Sequence, residues 1–171
     1  YREEEFKFYL DDLKARALVV ESGSDSPAVA AAVSLGIPLI ELIVAEGAAA
    51  GDFSLQAMLK GEAALPGFAE ANDVGLILHT SGTTSRPKCV VYNHMAYWLN
   101  GLNTIDFLGL TPEDRTLEYR SFGWNSAQVL SLMPWIVNGL SMFIAQRFSR
   151  SRFFDWIKSN DITFAAGVPT V

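Results

Sequence analysis

Apolar runs of strand length alternate with stretches of helical spacing along almost the whole sequence, the pattern of an α/β fold with a largely parallel sheet flanked by helices. Phe6, Leu10 and Leu13 recur at helical spacing within Glu3 to Ala15 and lead into the strand-like Ala17-Leu18-Val19-Val20. Ser26-Pro27 reads as an N-cap followed by proline at the first helical position, and Gly36 closes that helix before a second apolar run, Pro38 to Val44. Further strands are expected at Val74 to His79, Lys88 to Tyr92, Arg115 to Tyr119, Leu140 to Ala145 and Ile162 to Ala166. Helices are expected at His94 to Leu108, opened by Asn93, at Trp124 to Val137, and at Ser149 to Ser159. From Ala45 to Gly75 the sequence is rich in Gly and Ala and reads as a long surface connection, with one short amphipathic piece at Phe53 to Leu59.

Composition narrows the partners. A chain of 171 residues can bury roughly 70% of its unfolded surface, and half of its residues are hydrophobic, so a packed core is expected and not disorder. The net charge of −6, with no basic cluster longer than Arg147 to Arg152, argues against nucleic acid. Cys89 is the only cysteine and the first residues lack a basic start and apolar stretch, which excludes an internal disulfide, gives no sign of a secretion signal and points to the cytoplasm. The uncharged run Ser126 to Gln146 has the length of a membrane span, but Pro134 and Asn138-Gly139 divide it. It reads as a buried helix, a turn and a buried strand, with no span.

The chemistry concentrates in one connection. Between two strand-like segments stand Thr80, Ser81, Gly82, Thr83, Thr84 and Ser85, then Arg86, Pro87 and Lys88. Five hydroxyls and free backbone N–H groups can donate to phosphate oxygens, Gly82 permits close backbone approach, and Lys88 adds a mobile positive charge. The bland alternative is a solvated Ser/Thr turn. A Walker A loop is excluded, because Pro87 and Cys89 flank Lys88 where glycine and Ser or Thr would be needed, and a strand follows instead of a helix. Ser85-Arg86-Pro87-Lys88 has the S-x-x-K spacing of some serine acylases, but that chemistry needs both residues on one helical turn. With two histidines at unrelated positions, His79 and His94, no metal cluster is proposed, and both read as strand-end and helix-start residues.

The stretch "HTSGTTSRPK" resembles the phosphate-loop signature of the adenylate-forming superfamily, which includes acyl-CoA synthetases, luciferases and adenylation domains of nonribosomal peptide synthetases. The usual form is T-S-G-T-T-G-x-P-K-G; Ser85 and Cys89 replace two of its glycines. "FYLDDLKARALVV", "YNHMAYWLNGLN" and "IKSNDITFAAGVPTV" are similar to the segments around that loop, so the likeness spans all 171 residues in looser form.

The resemblance implies a carboxylic acid attacking the α-phosphate of ATP, followed by acyl transfer to a thiol, commonly coenzyme A. Thr80 to Lys88 would wrap the β- and γ-phosphates, and Mg2+ is implied with ligands elsewhere. "SFGWNSAQ" falls where the family lines its acyl pocket, which would place Trp124 and Asn125 there; ordinary core is the equal alternative for Trp124. The family's later motifs lie beyond Val171, so residues 1–171 read as a single partial N-terminal domain with the C-terminal domain absent and no catalytic residue of its own. Apolar surface left exposed in such a piece allows a homo-oligomer. The competing class is a non-catalytic nucleotide- or partner-binding module, in which Ser85 and Cys89 mark a weakened loop.

Overall fold

The computed structural model describes residues 1–49, 51–57, 67–80 and 87–167. They fall into two compact units, Tyr1–Pro66 and Gly67–Val171.

The first unit is a β-α-β arrangement preceded by a helix. Helix α1 (Glu3–Asp12) carries Glu3, Glu4 and Glu5 in its first turn, where negative charge suits the free N–H groups, and Lys7 pairs with Glu3 at 2.8 Å one turn on. Strand β1 (Leu18–Glu21) leads to helix α2 (Pro27–Ser34), whose N-cap Ser26 accepts from the Ala28 N–H at 3.3 Å. The chain leaves α2 through Gly36 at φ 68°, which glycine reaches without strain, and enters strand β2 (Leu39–Ile43). β1 and β2 are parallel, Leu18 opposite Leu39. Leu10, Ala31 and Ala32 form the core, surrounded by Phe6, Ala15, Leu18, Ile37 and Leu39.

Strand β3 (Ser54–Ala57) corrects the irregular connection expected there: it pairs antiparallel with β2, Leu55 opposite Leu42. All four of its residues are exposed, so no buried face imprinted an alternating pattern on the sequence. Its backbone satisfies the open edge of β2.

The second unit contains two sheets. Strands β4 (Val74–His79) and β5 (Cys89–Asn93) form an antiparallel hairpin, with an irregularity at Val74/Leu76. Here Gly75 makes room for the His94 imidazole, whose Nδ1 would lie 3.1 Å from any Cβ at that position. Helix α3 (His94–Leu108) starts on the Asn93 side chain, which accepts from the Ala96 N–H at 2.7 Å, and ends at Gly109 with φ 64°. Strands β6 (Arg115–Glu118), β7 (Ser141–Ile144) and β8 (Phe164–Ala165) make a parallel sheet in the order β7-β6-β8. Central strand β6 is the most buried, with Thr116, Leu117 and Glu118 inside.

The long uncharged run divides into helix, turn and strand as its sequence predicts, but it is not buried throughout: Trp135 and Ile136 on the helix and Ile144 on the strand are exposed. A short helix α4 (Asn125–Ala127), a widened π-helical turn (Gln128–Leu132) and helix α5 (Met133–Asn138) precede Gly139 at φ 75° and then β7. Pro134 has no N–H to donate, and the ladder before it shifts to an i→i−5 bond from Met133 N–H to Gln128 carbonyl. Among the described residues no helix is long and apolar enough to cross a membrane. Helix α6 (Phe153–Ser159) completes the unit. Among the described residues three of the five strand pairings are parallel, so the α/β expectation holds, with antiparallel additions at β2-β3 and β4-β5.

Candidate functional site

The hairpin β4-β5 presents its connection at one tip, where His79 faces Cys89 across the two strands. Two hydrogen bonds clasp the neck of that connection: Thr80 N–H donates to the Lys88 carbonyl at 3.0 Å, and Lys88 N–H donates to Thr80 Oγ1 at 3.1 Å. Thr80 and Lys88 are exposed and Pro87 half-buried, and among the described residues Lys88 enters no ion pair. Ser81, Gly82, Thr83, Thr84, Ser85 and Arg86 lie outside the described residues. Lys88 directly precedes strand β5 and itself lies on no helix.

Cys89 occupies the first position of β5 with ordinary extended backbone, since Lys14 and Asp161 are the described non-glycine residues with positive φ. A glycine is not needed there. Its Sγ lies 3.1 Å from His79 Nε2. His79 closes β4 and His94 opens α3, the places their sequence context indicates.

A second constellation emerges from the carboxyl end of β6, the end of a parallel sheet at which open α/β folds place ligands. Within residues 1–171 Trp124 is 65% exposed, and Asn125 beside it is exposed too. The turn that carries them is closed by Trp124 N–H to the Ser121 carbonyl at 3.0 Å and by Gly123 N–H to Ser121 Oγ at 3.2 Å. Behind it sits Glu118, fully buried, whose carboxylate accepts from the N–H groups of Tyr119 and Arg120 at 2.9 and 2.7 Å and from Arg120 Nε at 2.8 Å and Nη2 at 2.5 Å. Burial alone would push the Glu118 carboxyl up. The donors from Arg120 and Ser131 outweigh it and hold the group below the usual carboxylate range, ionised at neutral pH.

Arg120 Nη2 also reaches Ser131 Oγ in the π-helical turn at 3.3 Å. Gln128 donates to the Phe122 carbonyl and accepts from the Tyr97 hydroxyl of α3, which burial keeps protonated to a higher pH than usual. Sequence reasoning did not single out Glu118, Arg120, Tyr97, Gln128 or Ser131. The one available signal was a Glu-x-Arg pair immediately before a long uncharged run.

Beside the same sheet lies a cleft of about 580 Å³, lined by Leu117, Phe143, Arg147, Arg152, Trp156 and Asn160. The Arg152 guanidinium stacks 5.1 Å from the centre of the Trp156 ring. This site, too, lies at the carboxyl ends of β6 and β7.

The sequence profile of the AMP-binding enzymes matches residues 1–171, the whole length of the chain. The chain belongs to the AMP-binding enzyme family. Within that family it is similar to the oxalate–CoA ligase of Saccharomyces cerevisiae, 28% identical over an alignment covering 100% of this chain and 36% of that protein. It is similar also to the probable CoA ligase CCL9 of Humulus lupulus, 30% identical over 100% of this chain and 33% of that one. Among solved structures, ATP-bound MatB from Rhodopseudomonas palustris superposes with a TM-score of 0.74 over 99% of this chain and 33% of MatB, at 22% identity, which establishes the shared fold. The chain spans about a third of the length of these AMP-binding relatives. The likeness to adenylate-forming enzymes drawn from the loop thus holds for the family and for the fold.

Proposed function

We propose that this chain is the phosphate-loop portion of an ATP-dependent, AMP-forming acid–thiol ligase, which activates a carboxylic acid as its acyl-adenylate and passes the acyl group to coenzyme A. Residues 1–171 are then part of a larger N-terminal domain in a cytoplasmic enzyme, and do not complete either half-reaction alone. The observation that carries this reading is the clasped neck, Thr80 against Lys88, in a chain of the AMP-binding family. Thr80 to Lys88, including Ser81, Gly82, Thr83, Thr84, Ser85, Arg86 and Pro87, fold over the β- and γ-phosphates of ATP. As pyrophosphate departs, negative charge gathers on its oxygens, and a preplaced ammonium lowers the energy of that state. Trp124 and Asn125 border the acid. The family likeness implies Mg2+ and names no ligand for it among these residues. A non-catalytic module would require a loop weakened at its base, and the unstrained backbone of Cys89 speaks against that.

The test is carboxylate-dependent ATP–pyrophosphate exchange by the full-length protein with a panel of acids. Lys88→Ala is expected to lower the exchange rate by roughly 10²- to 10³-fold, the usual cost of removing one preorganised charge-stabilising group, with an unchanged circular-dichroism spectrum. Exchange at the wild-type rate would take Lys88 out of the mechanism.

A further inference from the structure

The turn that carries Trp124 is held from two directions by side chains with no other evident task. From below, Glu118 gathers four N–H donors on one buried carboxylate and fixes the course of the chain through Tyr119 and Arg120. The Arg120 guanidinium then ties this strand end to Ser131 in the π-helical turn. From above, Gln128, the first residue of the π-helical turn, holds the Phe122 carbonyl with its amide N–H, while its own amide oxygen is held by the Tyr97 hydroxyl. Ser121 to Asn125 lie between these two anchors, and the Trp124 indole projects from them, 65% exposed.

A buried ion pair is a poor means of adding stability, because an apolar pair of similar volume often does as well. What such a pair does supply is direction: an Arg–carboxylate fork tolerates little rotation, and fully satisfied networks rigidify their surroundings. The π-helical turn serves the same end, since single wide turns of this kind re-aim side chains and recur at functional sites. Both devices converge on one exposed turn at the carboxyl end of β6.

We propose that Glu118, Arg120 and Gln128 are positioning residues that fix the Phe122–Asn125 turn, and that the orientation they impose makes Trp124 a specificity-determining wall for the acid. The assignment rests on the reading of this chain as part of an acid-activating ligase. Its chemistry suits an acid with an apolar or aromatic body, packed against the indole face.

The experiment uses the full-length protein in two measurements. In the first, exchange kinetics are compared across acids for wild type, Arg120→Lys, which keeps the charge and loses the fork, and Gln128→Leu, which leaves the Glu118–Arg120 pair intact. The KM for the acid is expected to rise roughly tenfold to hundredfold, the scale of a misplacement near 1 Å. The ranking of the acids should change as well, while the KM for ATP stays put. A KM for ATP that climbs in step with that for the acid, or an unaltered ranking, would overturn the proposal in favour of a purely structural network. In the second, the protein is labelled with 5-fluorotryptophan and the Trp124 fluorine line is assigned through Trp124→Phe. A single sharp wild-type line that broadens or splits in both variants is expected. Should wild type exchange with no acid at all, the ligase reading fails, and the fluorine line alone then decides the positioning: an unchanged line in Gln128→Leu and Arg120→Lys sinks it.

Discussion

Gly167 shows how a single residue can be fixed by a neighbour distant in sequence. A Cβ placed on it would run into the Tyr119 hydroxyl, and the Tyr119 ring cannot easily retreat because it packs against Phe148 and Phe153, with ring centres 5.2 and 5.8 Å away. Gly167→Ala is therefore expected to destabilise the fold by about 1 to 3 kcal/mol, the common cost of overpacking. The Tyr119 Cζ lies 3.5 Å from that Cβ, an ordinary contact, so adding Tyr119→Phe removes the clashing atom and should restore most of the loss. Denaturant unfolding of the single and double variants measures this, and an unrescued double variant would place the cost elsewhere. Cys89 is the opposite case. It replaces a glycine of the usual loop signature, yet its backbone is ordinary strand, so the position does not require a glycine's conformational freedom.

Among elements, the contact between α3 and α5 is made close by a residue that has no side chain. Gly101 is the buried residue of α3, and a Cβ there would stand 3.0 Å from Met133 Cβ and 3.1 Å from Val137 Cγ2. Alanine would raise the intrinsic helix propensity by about 1 kcal/mol but would wedge the two helices apart. Gly101→Ala is expected to lower stability by a net of about 1 to 2 kcal/mol once that gain is subtracted from the overpacking cost, read from urea unfolding. A more stable variant would show that α5 yields. The same pairing sets the π-helical turn against α3, which is how Tyr97 comes within reach of Gln128.

For the whole molecule, stability should fall steeply in acid. The Asp114 carboxyl is lowered chiefly by the Thr163 hydroxyl, 2.6 Å away, and by the Thr111 N–H; Glu118 is lowered by its donors against the opposing effect of burial. A carboxylate with a depressed folded pKa contributes stability that is present above its unfolded value, 3.8 for Asp114 and 4.5 for Glu118, and is lost as pH falls through the folded one. Glu118→Gln, which leaves Arg120 without its counter-charge, is expected to cost about 3 to 5 kcal/mol at neutral pH, with the gap to wild type narrowing as the pH drops. A gap independent of pH would mean that Glu118 acts through packing alone. The sequence by itself determined the alternation of helix and strand, the helix ends at Ser26, Gly36 and Asn93, the division of the uncharged run, and the loop between β4 and β5. These depend on local spacing and on the backbone preferences of single residues, which neighbours in sequence carry. Only the tertiary structure decided that Ser54–Ala57 is a strand, that Trp124 faces outward, and that Tyr97 meets Gln128 31 residues away while Arg120 joins Glu118 to Ser131. Such pairings are fixed by which surfaces pack together, and no short stretch of sequence holds that information.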